Sequence, residues 1–212
     1  MTHVGGAGLT FARWVEAVRP GSPQVVLEPD TEVTDVVRRE LPLPRRHRIR
    51  VRPVDGATGM RELADRSADV VVVDAYAGRR MPASVATVGF VTDVRRVLRP
   101  SGVVLVNVAD QPRRLFLARV LATVAAAGFE DRLVVATSEV MRGRRFGNSV
   151  VVASASPLDV AAVRRGVSTM AFPAGVRHGD EVERMVGGAR PFSENDAEDS
   201  PEPPDLGTWH LR

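Results

Sequence analysis

A glycine turn between a short apolar strand and a helix lies within the first ten residues of the chain. The stretch reads Val4-Gly5-Gly6-Ala7-Gly8-Leu9-Thr10, and the next apolar run ends at Glu28. Such a turn lets a ligand approach the backbone, and an acid at the end of the following strand can accept hydrogen bonds from a ribose. Because the third glycine of a dinucleotide-binding fingerprint is absent, two interpretations stay open: a nucleotide or nucleoside site, and a tight structural turn.

Length and composition favour one domain without disulfide or lysine chemistry. The chain has 212 residues, which is enough for one domain with a full core. Cysteine is absent and all 29 basic residues are arginine, so disulfides, catalytic thiolates and lysine Schiff bases are excluded. No apolar run approaches the roughly 18 residues of a membrane span, and no signal peptide is visible. We therefore expect a cytoplasmic protein without a membrane span.

Acidic residues are concentrated near the C-terminus, whereas the remainder of the chain is basic. Residues 193–206 carry six acids and no base, and removing these six from a chain of net charge +3 leaves the remainder at +9. A basic body attracts anions or nucleic acid. The arginines, however, occur in scattered pairs without aromatic interleaving, which favours a solvated surface and no nucleic-acid partner.

The composition of the acidic stretch separates it from the rest of the chain. It is rich in proline and poor in apolar residues, as disordered segments are. We expect a single domain over residues 1–192 and a disordered acidic tail over residues 193–212 that the fold does not need.

Strands and helices alternate along most of the chain. In the first helix, the large apolar residues lie on or near one face; they are Leu9, Phe11, Trp14, Val15 and Val18. The predicted helices cover residues 9–18, 31–41, 57–65, 84–98, 113–127, 158–165 and 180–186. The predicted strands cover residues 2–4, 24–28, 48–54, 68–74, 103–108, 132–137 and 149–154.

The end of this pattern narrows the fold class. Only short, Arg- and Gly-rich sequence joins the last two strands, too little for a crossover helix, so we expect them to be antiparallel. The sequence predicts an α/β fold, Rossmann-like and doubly wound, with a mostly parallel seven-stranded sheet, an antiparallel last strand and a truncated first strand. A reversed last strand is typical of the class I methyltransferase-type fold and favours an adenosylmethionine-type ligand over NAD.

Polar or glycine positions follow five strands at the edge where such sheets bind ligands. They are Gly5–Gly8, Glu28, Asp55-Gly56, Asp74 and Asn107. Glu28 is alternatively a solvated loop acid, and Asp55 a cap of the next helix. Asp74 follows four consecutive valines, so packing alone does not explain it. The four histidines show no metal-ligand spacing, so no metal site is predicted.

These residues resemble motifs of the spermidine synthases, and more closely those of the spermidine synthase-like proteins of actinobacteria. The family's glycine motif, Gly-Gly-Gly-Asp-Gly-Gly followed by an arginine, aligns with Gly5-Gly6-Ala7-Gly8-Leu9-Thr10 and Arg13. The family's Val-Glu-Ile-Asp-Glu-Glu-Val is similar to Leu27-Glu28-Pro29-Asp30-Thr31-Glu32-Val33. Asp55-Gly56 matches the dipeptide that contacts the adenine, and Val72-Val73-Asp74 matches the strand that carries the catalytic acid.

The resemblance implies a transferase with an adenosyl donor, either decarboxylated S-adenosylmethionine or S-adenosylmethionine, as co-substrate. The expected reaction is aminopropyl transfer to a small molecule in polyamine biosynthesis, without a metal, and an oligomer is compatible with it. The implied catalytic residue is Asp74, which would orient the nucleophile. The implied donor-binding residues are Gly5, Gly6, Gly8, Glu28, Asp55, Gly56, Asp74 and Tyr76.

Two family acids have no counterpart in this chain. The acid of the glycine motif falls on Gly8, and the second acid of the family's Asp-x-x-Asp loop falls on Ala77. Aminopropyl transfer needs carboxylates to orient an amine and to hold cationic groups. Two alternatives therefore stay open: a catalytically inactive member that binds an adenosyl ligand or a partner, and a small-molecule methyltransferase.

The strand before the glycine turn has only three predicted residues, whereas strands usually have about five or six. In this fold we expect that strand in the middle of the sheet, between the strand that ends in Glu28 and the strand that ends in Asp74. So short a strand would leave hydrogen-bonding groups on both neighbours unpaired. This leads to the hypothesis that Met1 is an internal start and that a longer product carries the rest of the strand.

Overall fold

Strands and helices alternate in the computed structural model, which describes residues 1–204. The strands are β1 (Thr2–Val4), β2 (Gln24–Leu27), β3 (Ile49–Arg52), β4 (Ala68–Val73), β5 (Leu98–Asp110), β6 (Asp131–Thr137), β7 (Gly147–Ser154) and β8 (Ala174–His178). The α-helices are α1 (Thr10–Val18), α2 (Thr31–Glu40), α3 (Gly56–Arg61), α4 (Val88–Val97), α5 (Leu115–Ala126), α6 (Ser138–Met141), α7 (Val160–Ser168) and α8 (Asp180–Val186). A 3₁₀ turn covers Ala83–Val85.

The strands form one mixed sheet in the order β3-β2-β1-β4-β5-β7-β6-β8. The pairs from β3 to β5 are parallel, whereas β7 runs antiparallel to both β5 and β6. The predicted Rossmann-like, mostly parallel sheet with a reversed late strand is therefore confirmed. Within residues 1–204, no helix has the length and apolar character needed to cross a membrane.

The predicted number of seven strands is wrong, because β8 adds an eighth strand at the edge of the sheet. Its residues pair antiparallel with β6 from Ala174, opposite Thr137, to His178, opposite Leu133. The segment reads Ala-Gly-Val-Arg-His, which contains neither an apolar run nor a clean alternation. Hydrogen bonds to the backbone groups of β6 therefore stabilise β8, and its side-chain pattern does not predict it.

The three-residue strand β1 lies in the middle of the sheet, between β2 and β4, as predicted. Val4 is opposite Leu27 on one side and Val73 on the other, and all three side chains are buried. Because the three strands are parallel and in register, the residues that follow them lie side by side at one edge. This edge therefore carries the glycine turn together with Glu28 and Asp74.

Helix α1 packs on the sheet through only part of the predicted face. Ala12 and Val15 are buried, whereas Phe11 and Trp14 are 42% and 56% exposed. The rings of these two aromatic residues stack, with 5.4 Å between their centroids. A small alanine lets the helix lie close to the strands, so the larger rings occupy its outer sides.

The acidic segment is ordered over its described part, residues 193–204, so the prediction of disorder is wrong there. Ser200 is fully buried, and its backbone N–H donates to the Met81 carbonyl over 3.0 Å. The Ser200 hydroxyl accepts a hydrogen bond from the Met81 N–H over 2.9 Å. Residues 205–212, which include Trp209, lie outside the described residues.

Ion pairs and hydrogen bonds hold this segment against the body, although its composition is typical of a disordered chain. The Arg119 guanidinium donates to the Asp196 carboxylate over 2.8 Å, and the Arg80 side chain donates to the Ser200 carbonyl over 2.6 Å. The Ala83 N–H donates to Asp199 over 2.9 Å. The segment needs no apolar core of its own, because the body supplies partners for its acids.

Candidate functional site

A cavity of about 630 Å³ opens at the carboxyl ends of the strands around β1. The turn after β1, the ends of β2 and β4, and the start of α3 contribute to its wall. Every residue expected to bind the donor or to catalyse lies in this wall. These residues are Gly5, Gly6, Gly8, Glu28, Asp55, Gly56, Asp74 and Tyr76.

The glycine turn passes so close to its neighbours that two of its glycines have no room for a side chain. Gly5 has a φ of +87°, and a Cβ there would overlap with the carbonyl oxygen of Asp74. A Cβ on Gly6 would overlap with the side chain of Val26. Gly8 differs, since the nearest atom to a Cβ there would be 3.7 Å away. Packing thus explains the first two glycines but not the third.

Glu28 ties the glycine turn to the end of β2. One of its carboxylate oxygens accepts hydrogen bonds from the N–H groups of Gly6 and Ala7, both over 2.8 Å. The other oxygen accepts from the Asp30 N–H over 3.0 Å. A carboxylate offers about four acceptor positions, and these contacts occupy three of them. Glu28 is therefore held in the wall of the cavity with an acceptor position left for a ligand.

Asp55 caps helix α3, which is one of the two roles that its position in the sequence left open, and it also lies in the wall of the cavity. Its carboxylate accepts a hydrogen bond from the Thr58 N–H over 2.9 Å and so caps α3. This hydrogen bond to the Thr58 N–H lowers the pKa of the carboxyl group, so it is negatively charged at neutral pH. The next residue, Gly56, packs directly against the Val4 side chain, where a Cβ would not fit.

Asp74 and Tyr76 are linked through the neighbouring strand β5. The Asn107 side-chain amide donates to the Asp74 carboxylate over 2.8 Å. The Tyr76 hydroxyl donates to the Asn107 carbonyl and accepts from the Ala109 N–H, both over 3.0 Å. Burial raises the pKa of Tyr76 to about 12, so its hydroxyl is neutral at physiological pH. Tyr76 therefore fixes the loop after β4, while Asp74 keeps an exposed carboxylate.

The cavity also has wall residues that sequence reasoning did not assign to it. Phe11 and Trp14 contribute stacked rings, and His3 contributes a buried imidazole. The Nε2 atom of His3 lies 2.8 Å from the Gln24 side-chain oxygen, and burial lowers the pKa of this imidazole. The sequence does not distinguish these two aromatic residues from core residues, and Ala12 between them is buried although it also belongs to the cavity wall.

Carboxylates, rather than guanidinium groups, line this cavity. Glu28, Asp55 and Asp74 are its acids, and no arginine is part of the wall that the described residues form, although the chain has 29 basic residues. Within the same residues, no three His, Asp or Glu side chains come together as a metal-binding group. The cavity therefore suits a ligand that carries positive charge or hydroxyl and amine donors.

Sequence comparison gives a distant match to an enzyme. The chain is 25% identical over 137 residues to a polyamine aminopropyltransferase of Neisseria meningitidis serogroup A. The matched region covers 63% of this chain and half the length of that relative. No protein-family model matches the chain.

Structural comparison extends the likeness to the whole chain. A probable spermidine synthase from Corynebacterium glutamicum superposes with a TM-score of 0.84 and 26% identity, covering 100% of this chain and 74% of its own. A spermidine synthase in complex with the transition-state analogue AdoDATO gives a TM-score of 0.64 at 15% identity, covering 88% and 68% of the two chains.

A more distant superposition shows the broader fold class. Human methyltransferase-like protein 13 in complex with SAH gives a TM-score of 0.62 at 18% identity, covering 91% of this chain and 84% of its own. The chain therefore has a Rossmann-like methyltransferase fold, and its predicted resemblance to the spermidine synthases is confirmed.

Proposed function

We propose that the carboxylate-lined cavity binds an adenosyl donor and that the chain transfers the aminopropyl group of decarboxylated S-adenosylmethionine to an amine. The convergence of the glycine turn, Glu28, Asp55 and Asp74 on one cavity carries this proposal. The likeness to a polyamine aminopropyltransferase and to spermidine synthases supports the same reaction class.

The wall of the cavity offers a complementary contact for each part of such a donor. The free acceptor position of Glu28 suits a ribose hydroxyl, as in other sheets with an acid after the second strand. Asp55, at the start of α3, suits the amino group of the adenine. The glycine turn brings the backbone close enough for the nucleoside to lie against it. Three carboxylates favour a sulfonium cation in this cavity over an anionic dinucleotide.

In the proposed reaction, the lone pair of an amine nitrogen attacks the propyl carbon next to the sulfonium. A C–N bond forms and the C–S bond breaks, and its electron pair stays on sulfur, which leaves as neutral methylthioadenosine. The attacking nitrogen then loses one proton. Asp74 is the group proposed to orient the amine and to accept this proton, because Asn107 holds its carboxylate at the mouth of β4. Tyr76 is proposed to position the loop that carries Asp74, because its hydroxyl binds the Asn107 carbonyl and the Ala109 N–H on β5.

Ligand binding and product formation test the two halves of this proposal separately. Methylthioadenosine, decarboxylated S-adenosylmethionine, S-adenosylmethionine and putrescine are added singly in thermal-shift measurements, and products are analysed by mass spectrometry. We expect the nucleosides to raise the Tm and an aminopropylated amine to form from the decarboxylated donor. Nucleoside binding without any product would overturn the transfer step, and no nucleoside binding would overturn the site.

The two positions that lack family acids offer a further test of substrate preference. Gly8 has open space for a side chain, and Ala77 is an exposed residue in the wall of the same cavity. We expect Gly8→Asp and Ala77→Asp to lower the KM for a diamine, because each adds a negative charge near its ammonium groups. An unchanged KM in both variants would mean that the diamine does not approach these positions.

A further inference from the structure

A second cavity, of about 760 Å³, lies between the first turns of α5 and the end of α8. Among residues 1–204, it shares no wall residue with the carboxylate-lined cavity. One acid of this described part, Glu181, and six arginines line it. These arginines are Arg113, Arg114, Arg119, Arg177, Arg184 and Arg190.

Three of these arginines have partners for their side chains in the structure. Arg177 pairs with Glu181 over 3.3 Å. Arg114 donates to the Met141 carbonyl over 2.5 Å. Arg119 pairs with Asp196 of the acidic segment, so this arginine of the wall already binds a carboxylate.

The other three arginines of the cavity carry charge that no acid in the described part of the chain compensates. Arg113, Arg184 and Arg190 are exposed, and none of them has an acidic partner among residues 1–204. Like charges that line one concave surface add their potentials and concentrate anions there. The cavity therefore suits a ligand with several negative charges.

We propose that this arginine-lined cavity binds an oligophosphate, a small molecule with two or more linked phosphate groups. A guanidinium group donates two parallel hydrogen bonds to a phosphate, which makes arginine well suited to this group. A single monovalent anion would compensate only one of the arginines in this wall that have no acidic partner among residues 1–204. The volume is in the range of cavities that hold small molecules.

The character of the wall favours an oligophosphate over a nucleic acid strand. Proteins that bind single strands stack the bases on aromatic side chains, and the wall formed by the described residues contains no aromatic ring. Phosphate groups alone, without bases, account for the chemistry of the cavity. Because the donor cavity is separate and carries the opposite charge, the two ligands are not expected to compete.

Calorimetric titration with sodium tripolyphosphate at 50 and 200 mM salt tests this site on the full chain. We expect the double variant Arg113→Gln/Arg184→Gln to raise the Kd at least tenfold. The matched control is Arg164→Gln/Arg165→Gln, which removes the same charge from exposed positions on α7 outside the cavity. We expect the control to change the Kd less than twofold. Circular dichroism melts of all variants establish that they are folded.

Four outcomes would overturn the proposal. They are an absence of tripolyphosphate binding, an equal loss of affinity in the control, displacement of tripolyphosphate by sulfate at equal ionic strength, and tighter binding of a single-stranded oligonucleotide through the same arginines. The first three would show that the cavity selects no oligophosphate, and the fourth would assign it to nucleic acid. None of them depends on whether the chain transfers an aminopropyl group.

Discussion

Asp74 is the residue on which the proposed chemistry depends most directly. Its carboxylate is exposed at the cavity and accepts one hydrogen bond from Asn107. We expect Asp74→Asn to abolish product formation while leaving the Kd for methylthioadenosine within about threefold, because an amide keeps the size but accepts no proton. Product analysis and calorimetry measure the two effects. Asp69→Asn is the matched control: Asp69 lies on β4, the strand that Asp74 follows, is exposed, and pairs with Arg99 outside the cavity. If Asp74→Asn were fully active, Asp74 would have only a structural role.

Glu28 combines a structural contact with a proposed ligand contact, and two variants separate these roles. We expect Glu28→Ala to weaken methylthioadenosine binding by about 1–3 kcal/mol, the loss expected for a hydrogen bond to a charged group. Glu28→Gln keeps one acceptor oxygen for the N–H groups of the turn, so we expect it to lose less stability than the alanine variant. Calorimetry gives the affinity and thermal melting gives the stability. Unchanged affinity in both variants would remove Glu28 from the ligand site.

Some individual side chains of the site can be predicted from the sequence and others cannot. Glu28 and Asp74 each follow an apolar run, and a parallel sheet brings the ends of such runs to one edge. Phe11 and Trp14 cannot be assigned in this way, because large apolar residues on a helix are expected to face the core. The partners of Asp74 and Tyr76 on β5 also depend on strand register, which the sequence alone does not specify.

At the level of a single element, the glycine turn provides a matched pair of substitutions. Gly5 has a positive φ and no space for a Cβ beside the Asp74 carbonyl, whereas Gly8 has space. We expect Gly5→Ala to lower the free energy of unfolding by about 1–3 kcal/mol from the backbone conformation alone, and further from the overlap. We expect Gly8→Ala to melt within about 2 °C of the unmodified chain. Similar melting of the two variants would show that the turn rearranges freely.

Strand β1 contains a buried histidine that makes stability depend on pH. His3 is 4% exposed, and burial holds its pKa below the ordinary value of 6.5. As the pH falls below about 6.5, the unfolded chain binds a proton at this imidazole that the folded chain does not bind. We therefore expect the free energy of unfolding to decrease between pH 6.5 and 5. His3→Gln should reduce the slope of that decrease in denaturant titrations, and an equal slope would mean that other groups cause it.

Some strands and helices can be predicted from the sequence, and others cannot. Local sequence pattern predicts β4, which contains four consecutive valines. It also predicts helices that begin after an N-cap residue, as α2 does after Asp30. Strand β8 is not predicted in this way, because its pairing with β6 rather than its own composition stabilises it. The buried face of α1 was predicted only in part: Val15 was expected there, whereas Ala12 is a weaker signal than the larger residues beside it.

At the scale of the whole molecule, the two cavities are lined by side chains of opposite charge. Acids surround the opening at the ends of the parallel strands, and arginines surround the opening beside α5 and α8. A net charge of +3 conceals this contrast. The acidic segment offsets part of the positive charge at the second opening, because Asp196 and Glu198 both lie near the guanidinium of Arg119. The overall fold could be predicted from the order of the elements, whereas this distribution depends on contacts between residues far apart in the sequence.

The last prediction concerns the attachment of the acidic segment to the body. The Ser200 hydroxyl accepts a hydrogen bond from the buried Met81 N–H, so Ser200→Ala leaves this donor without that partner. Such a loss costs about 1–3 kcal/mol, and for a chain of this size each kcal/mol lowers the Tm by about 2–4 °C. Asn195→Ala is the control, because Asn195 is exposed in the same segment. Deletion of residues 193–212 should lower the Tm at least as much as Ser200→Ala, since it also removes the ion pair between Asp196 and Arg119. If calorimetric melting shows an unchanged Tm for both Ser200→Ala and the deletion, the segment contributes no stability and its contacts with the body are incidental.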